Sequence, residues 1–501
     1  MEQAGLAMRG VRQRVSDVLV KLGKQTPIYL LGLLASRLTG FLMLPIYTAY
    51  LTPSDYGLVE LLTLTVEVIG IIGAVGLSAG VLKFHAHYEG QEDKREVLST
   101  SAIGLVGVMS LVAGLGVVFA VPLNDLVFGE SGRPVYFRIF FAVYLLQQAE
   151  IVPLVLLRIR DRAVAYVAIS LAKLVLMLGL NIWLVVYREL GVLGILISNL
   201  AASALFATGL MAYLFASVGR AFSVPKFREM TRFGAPMMLW FLANFIMVSS
   251  DRFFLNHFAG PSEVGIYSLA YRFMAILPAL TFIPFYQAWD PQRFELANRP
   301  EAGATFTKVF TYCNLGVAVI ALGIAVFTED VIRVMAVPGF YPAYSVVPIL
   351  VAAQILWSLV SFVNLGLLLR NRTNTLAKLA VITVVIILVL DYALIPPLGM
   401  LGAALATLVA YAARFVMVLR AAQAQYFIRY DWSRVLLAYG IVVTAVLLKL
   451  FLPRDSVPTS LLIGVTLTAA ALSAMYFLAL DSTERRFLRG IVPMIRRVVG
   501  G

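Results

Sequence analysis

Fourteen stretches of this chain are apolar over close to the ~20 residues that a helix needs to cross a bilayer. They run over 28–51, 58–82, 98–122, 136–157, 163–187, 192–216, 236–258, 265–287, 305–327, 343–369, 376–394, 401–421, 435–452 and 458–479. The pattern predicts an all-α polytopic membrane protein with 14 transmembrane helices. The composition agrees: 61% of residues are hydrophobic and 13% charged, against about 25% charged in soluble domains.

Basic residues collect at every second junction. The intervening junctions hold only Arg133, Arg188, Arg333 and Arg454, whereas each tail carries five. The positive-inside rule then places both termini in the cytoplasm. The net charge of +13 is mainly this topology signal, so no nucleic-acid partner is expected. The single cysteine, Cys313, excludes an intramolecular disulfide framework. No P-loop, HExxH or Cys/His cluster occurs, and His85 and His87 read as solvated loop residues. Neither a cofactor nor a metal nor an enzymatic activity is expected.

Residues 1–27 read as a basic amphipathic segment on the cytoplasmic surface, with Val11, Val15, Val18 and Leu22 at helical spacing, and not as a cleavable signal. The basic tail, 480–501, repeats the design with Phe487, Ile491 and Ile495.

An internal repeat organises the rest. "YLTPSDYGLVEL" and "HFAGPSEVGIYSL" align Pro53, Ser54, Asp55 and Gly57 with Pro261, Ser262, Glu263 and Gly265, at an offset of 208. "ELGVLGILIS" and "PLGMLGAALA" align Gly191 with Gly399 and Gly194 with Gly402 at the same offset. Six spans per repeat preserve orientation, which predicts two six-helix lobes in parallel pseudo-twofold repeat plus two C-terminal helices. The expected divisions are 28–216 (N-lobe), 217–235 (cytoplasmic inter-lobe linker), 236–421 (C-lobe) and 422–479 (the extra pair). Such an architecture suits alternating access, and the outer junctions are too short for the catalytic domain of a glycan polymerase or ligase.

A charge at mid-bilayer costs about 2.5–3.5 kcal/mol on insertion scales, so it faces protein or water. On the first span Tyr29, Ser36, Arg37, Gly40, Tyr47 and Thr48 share roughly 120° of the helix. Arg37 either faces a cavity or locks to Glu67 of the second span. Lys173 sits too deep to snorkel and is expected in a cavity. Glu150 reads equally as a gate or as the partner of a base. On the seventh span Trp240, Asn244 and Asp251 share a face and Arg252 follows, while the eighth adds Tyr267, Tyr271 and Arg272. The tenth carries Gln354, Trp357, Ser358, Ser361 and Asn364 as a stripe that suits substrate contact or hydrogen bonding between helices. Arg414 can snorkel to the cytoplasm. Cations suit phosphate oxygens, and aromatic faces with amides suit sugars, so the ligand expected is large, anionic and polar.

The chain resembles the multidrug/oligosaccharidyl-lipid/polysaccharide (MOP) exporter superfamily, and within it the Wzx-like polysaccharide flippases. The resemblance rests on "LLASRLTGFLMLPIYTAYLTPSDYGLVEL", "LLRIRDRAVAYVAISLAKLVL", "SSDRFFLNHFAGPSEVGIYSLAYRF" and the "GVLG" and "GMLG" turns. It implies a multi-pass protein of the bacterial inner membrane that translocates an undecaprenyl-diphosphate-linked oligosaccharide to the outer leaflet for O-antigen, capsule or exopolysaccharide synthesis. The partners implied are that polyprenyl-diphosphate-linked oligosaccharide, membrane lipids, and a glycan polymerase with other polysaccharide assembly proteins. Arg37, Asp251 and Arg272 match charged positions in the family's recurring segments. Asp251 or Glu67 could exchange a coupling cation. The extra helix pair also resembles lipid II flippases, which leaves lipid II as an alternative substrate. A cation-coupled multidrug antiporter is the rival within the superfamily.

Overall fold

The structure, a computed structural model, describes residues 43–485 except 75–76, 130–132, 298, 453–455 and 483. Arg37, most of the first expected span, the basic segment 1–27 and the tail beyond Arg485 lie outside the described residues. Among the described residues there is no strand, and thirteen helices are long and apolar enough to cross a membrane. They coincide with the second to fourteenth expected spans.

The chain forms two compact units, Met1–Ser249 and Ser250–Gly501. The first holds α1 (Leu44–Tyr50), α2 (Pro53–Ala74), α3 (Leu77–His87), α4 (Gln91–Val118), α5 (Ala120–Phe128), α6 (Pro134–Ala149), α7 (Ile151–Ile159), α8 (Ala163–Asn181), α9 (Gly191–Val218) and the beginning of α10 (Val224–Ala259). Its core joins Leu77, Leu98, Leu105, Met109, Leu156, Leu214 and Met230. The stretch expected as a linker, 217–235, is therefore helical from Val224 onward. Its first turns are tied down: Lys226 pairs with Asp93 at 2.7 Å and with Glu96, and the Tyr88 hydroxyl donates to Glu229 at 3.0 Å. His85 and His87 lie in the last turn of α3 and not in a loop. Burial and the charge of Lys94 both hold the His85 imidazole below its usual range.

The second unit holds the remainder of α10 with α11 (Pro261–Leu280), α12 (Phe282–Leu296), α13 (Ala302–Met335), α14 (Val347–Val363), α15 (Leu365–Leu369), α16 (Thr373–Leu398), α17 (Met400–Gln423), α18 (Trp432–Phe451) and α19 (Val457–Ala474). Around Ala353, Ile387, Ala410 and Tyr411, helices α14, α16 and α17 form one apolar cluster. The C-terminal pair packs on α13 through Ala318, Leu322, Val326, Ala438, Val442, Ala445 and Ala471. Polar bonds fasten it at three levels. The Lys449 ammonium, buried, donates to the Val326 carbonyl at 2.6 Å and to Asp330. Tyr439 donates to Asn314 at 2.9 Å. At the far end Arg434 donates to the Ala479 carbonyl at 2.7 Å and pairs with Glu484.

The repeated turns are built alike. Gly191 and Gly399 have φ of +53° and +55°, a conformation that costs an L side chain dearly. Gly194 lies where a Cβ would come within 3.1 Å of the Leu184 carbonyl, and at Gly402 it would collide with the Leu394 carbonyl. Two helices can thus meet backbone to backbone just after each turn. Pro53 and Pro261 each open a helix, with Asp55 and Glu263 in the first turn, where acids favour the helix dipole. A further correspondence went unnoticed in the sequence. Asp161 (φ +57°) and Asn371 (φ +54°) close their helices identically, with Arg162 N–H donating to Leu157 and Arg372 N–H to Leu367; Asp and Asn are among the few residues that tolerate this region.

Gly402→Ala is expected to lower stability by about 1–3 kcal/mol, because the clash is with backbone and no rotamer relieves it. Gly107→Ala, with open space around the added carbon, should leave the thermal midpoint in detergent near that of the native chain.

Candidate functional site

In the second unit the end of α10 presents Ser250, Asp251 and Arg252 in succession, all buried. Successive helical positions are rotated by about 100°, so the three reach different neighbours. Asp251 accepts from the Tyr267 hydroxyl of α11 at 2.7 Å and from the Arg252 guanidinium at 3.1 Å. That guanidinium lies over the Tyr271 ring, 3.5 Å from its centre, a desolvated cation–π contact. The rings of Tyr267 and Tyr271, four residues apart, meet at an inclination of 57° with centres 5.4 Å apart. Ser250 donates to Asp391 of α16 at 2.9 Å. The other carboxylate oxygen of Asp391 has no hydrogen-bond partner among the described residues.

Asp391 was missed in the sequence. The signal was present: it is the one acidic residue of an otherwise strongly apolar helix. Arg272 is half-buried on α11, next to Tyr271. Trp240 and Asn244 lie earlier on α10. Trp240 is exposed and the Asn244 amide donates to its own helix, to the Trp240 carbonyl at 2.8 Å.

The polar stripe on α14 faces two neighbours. Trp357 packs against the Tyr411 ring at 4.8 Å and beneath the Arg414 guanidinium at 4.4 Å. On its other side, the Tyr286 hydroxyl donates to the Ser358 carbonyl at 2.8 Å, and Arg293 donates to the Ser361 carbonyl at 2.8 Å. The helix turns at Asn364, so its last carbonyls are short of intrahelical donors and Arg293 supplies one. Arg293 in turn pairs with Asp290 at 3.1 Å. Between α11–α12 and α14 lies a cavity of about 500 Å³, with Phe282, Tyr286, Asp290, Gln354, Trp357 and Ser361 in its wall. Gln354 donates to the Ser358 hydroxyl at 3.1 Å.

In the first unit, Lys173 of α8 bonds both carboxylate oxygens of Glu150 at 2.7 Å. Glu150 is buried at the junction of α6 and α7, where the backbone stays helical and the Glu150 N–H bonds to the Gln147 carbonyl, three residues back. Glu150 thus has a basic partner and Lys173 a counter-charge. Glu67 is exposed on α2. Arg37, its proposed partner, lies outside the described residues. Among those residues no cluster of three or more His, Cys, Asp or Glu could hold a metal ion.

Comparison with known proteins adds the following. The family "Polysaccharide biosynthesis protein" matches residues 22–296. Succinoglycan biosynthesis transport protein ExoT of Rhizobium meliloti is 30% identical over 247 residues, which are 47% of this chain and 46% of ExoT, so the match spans about half of that relative. The probable low-salt glycan biosynthesis flippase Agl15 of Haloferax volcanii is 24% identical over 75% of this chain and 78% of its own length. Among solved structures, lipid II flippase MurJ in an inward closed conformation superposes with a TM-score of 0.71 at 15% identity, covering 89% of this chain and 98% of MurJ. An inward-facing MATE multidrug resistance transporter of the MOP superfamily superposes at 0.56 with 18% identity, covering 78% of this chain and 95% of the transporter. At these identities the likenesses establish the fold.

Removing one partner of a buried ion pair is far costlier than removing both. Lys173→Met and Glu150→Gln are each expected to destabilise the protein by about 3 kcal/mol, and the double variant to recover most of that loss in thermal unfolding. Independent, additive effects would show that the pair does not hold α8 to α6–α7.

Proposed function

This chain belongs to the polysaccharide biosynthesis protein family, and from that premise we propose that it is a flippase. Its cargo is a polyprenyl-diphosphate-linked oligosaccharide, moved from the cytoplasmic to the outer leaflet of the bacterial inner membrane and passed on to polysaccharide assembly. The observation that carries the reading is a set of cations placed inside the spans of this fold: Lys173 on α8, Arg252 on α10 and Arg272 on α11. A diphosphate crossing hydrocarbon without counter-charge would be prohibitively costly. The glycan-transport names of ExoT and Agl15 support the same cargo class.

In this reading Arg37, Lys173 and Arg272 neutralise the diphosphate while the polyprenyl tail stays in lipid. Glu150 acts as the gate: it holds Lys173 until the diphosphate competes for the ammonium. Trp240, Asn244, Tyr271, Gln354 and Trp357 contact the polar part of the cargo. Moving net negative charge outward gains about 2.3 kcal/mol per charge per 100 mV of inside-negative potential.

Coupling belongs to Asp251 and the neighbouring Asp391. Two carboxylates share the cluster with the Arg252 guanidinium, and one Asp391 oxygen is open to a proton or small cation. Glu67, exposed on α2, is the alternative coupling group.

Deleting the gene should make the completed lipid-linked glycan accumulate on the cytoplasmic leaflet, as read by mass spectrometry of inner-membrane lipids and leaflet labelling in spheroplasts. Complementation with Arg272→Ala should fail to relieve it at normal expression. Unchanged lipid-linked glycan with raised drug sensitivity would transfer the case to the antiporter. In proteoliposomes, Asp251→Asn and Asp391→Asn should slow flipping and remove its response to an imposed proton or sodium gradient. A gradient response that survives both substitutions and disappears in Glu67→Gln would move coupling to α2.

A further inference from the structure

The cavity between α11–α12 and α14 has a wall chemistry unlike that of the charged clusters. Among the described residues that line it there is no Lys or Arg, and the one ionisable acid is Asp290. Its apolar side combines the rings of Phe282 and Trp357 with Pro278 and Ile283, and its polar side is an amide, a carboxylate and hydroxyls from Gln354, Asp290, Tyr286 and Ser361. We propose that this cavity is a subsite for one uncharged sugar unit of the cargo, and that the Asp290–Arg293 ion pair leaves an acidic sugar without a counter-ion there.

Three observations carry the assignment. A wall of amide, carboxylate and hydroxyl groups on helices of this apolarity is a poor lipid surface, so the cavity takes a polar occupant. Its volume of about 500 Å³ falls in the range of small-molecule pockets, roughly 300–1,000 Å³, which combine apolar walls with a few fixed polar groups. A sugar has that dual character, an apolar C–H face for an aromatic ring and paired hydroxyls for a carboxylate or amide.

The polar groups are also held in place. Gln354 is oriented by the bond from its amide nitrogen to Ser358, which leaves the amide oxygen to accept from a sugar hydroxyl. Asp290 is positioned by Arg293, itself buried and fixed on the Ser361 carbonyl. The Arg293 guanidinium balances the Asp290 charge, so the carboxylate oxygens accept hydroxyl protons while the pair offers a uronate or a diphosphate no unopposed cation.

This rests on the flippase reading and refines its cargo. The test is binding of three lipids to the purified full-length protein in nanodiscs: undecaprenyl diphosphate, the same lipid carrying galactose, and the same lipid carrying glucuronic acid. The galactosyl lipid is expected to bind about tenfold more tightly than the other two, the yield of one or two net hydrogen bonds. Gln354→Leu and Ser361→Val should bring it down to the sugar-free lipid, whose own affinity stays constant and reports that the variants are folded. Asp290→Asn, which releases Arg293 from its ion pair, should raise affinity for the glucuronosyl lipid toward that for the galactosyl lipid. Equal affinity for all three lipids, or galactosyl affinity untouched in Gln354→Leu and Ser361→Val, overturns the subsite and leaves the flippase reading standing. No binding of any of the three overturns both.

Discussion

Hydrocarbon offers a polar group nothing to bond to, and the placement of charge in this protein follows from that one constraint. Glu150 meets Lys173, Asp330 meets Lys449, and Asp251 meets Arg252 and Tyr267. Three of these four bonds run between helices, from α6–α7 to α8, from α13 to α18 and from α10 to α11. Each of those three does two things: it removes the penalty of a buried charge and joins two spans that apolar packing alone would join without preference. The C-terminal pair shows the effect plainly, because Lys449 and Tyr439 register α18 on α13 at two depths and Arg434 binds α18 to the chain after α19.

The places of thirteen spans were legible because hydropathy needs only composition over some twenty residues. The turns were legible for a different reason. A left-handed backbone or a backbone-to-backbone approach is a single-residue requirement, and Gly191, Gly194, Gly399 and Gly402 satisfy it in plain view. Asp161 and Asn371 meet the first requirement with a side chain still attached, so the matching turns they close do not look alike in the sequence.

Pairings were not legible. Nothing in the periodicity of α6–α7 or α8 says that Glu150 and Lys173 face each other, since helical spacing records which face is polar and not which helix lies opposite. The stripe on α14 illustrates the limit. Its polarity was correctly read, with two uses left open: carbonyls of Ser358 and Ser361 bond to α12, which is hydrogen bonding between helices, while Gln354 and the Ser361 side chain border a cavity. Asp391 and Arg293 escaped notice because a lone charge has no period. Arg293 was counted as a topology signal, although it is buried and bonded to the last turn of α14.

Asp391 stands in the most apolar of the described spans, with a mean hydropathy of 2.6. That setting bears on how the protein is made. At the moment of insertion the helix has not yet met Ser250, and a carboxylate in its last third opposes entry by at most the roughly 2.5–3.5 kcal/mol of a central position, while each Leu, Ile or Val favours it by about 0.3–0.6. The run of Val, Ile and Leu before Asp391 supplies the difference in advance. A helix of ordinary hydrophobicity with the same acid would stall at the membrane surface; this one can be threaded in first and find its partner afterwards.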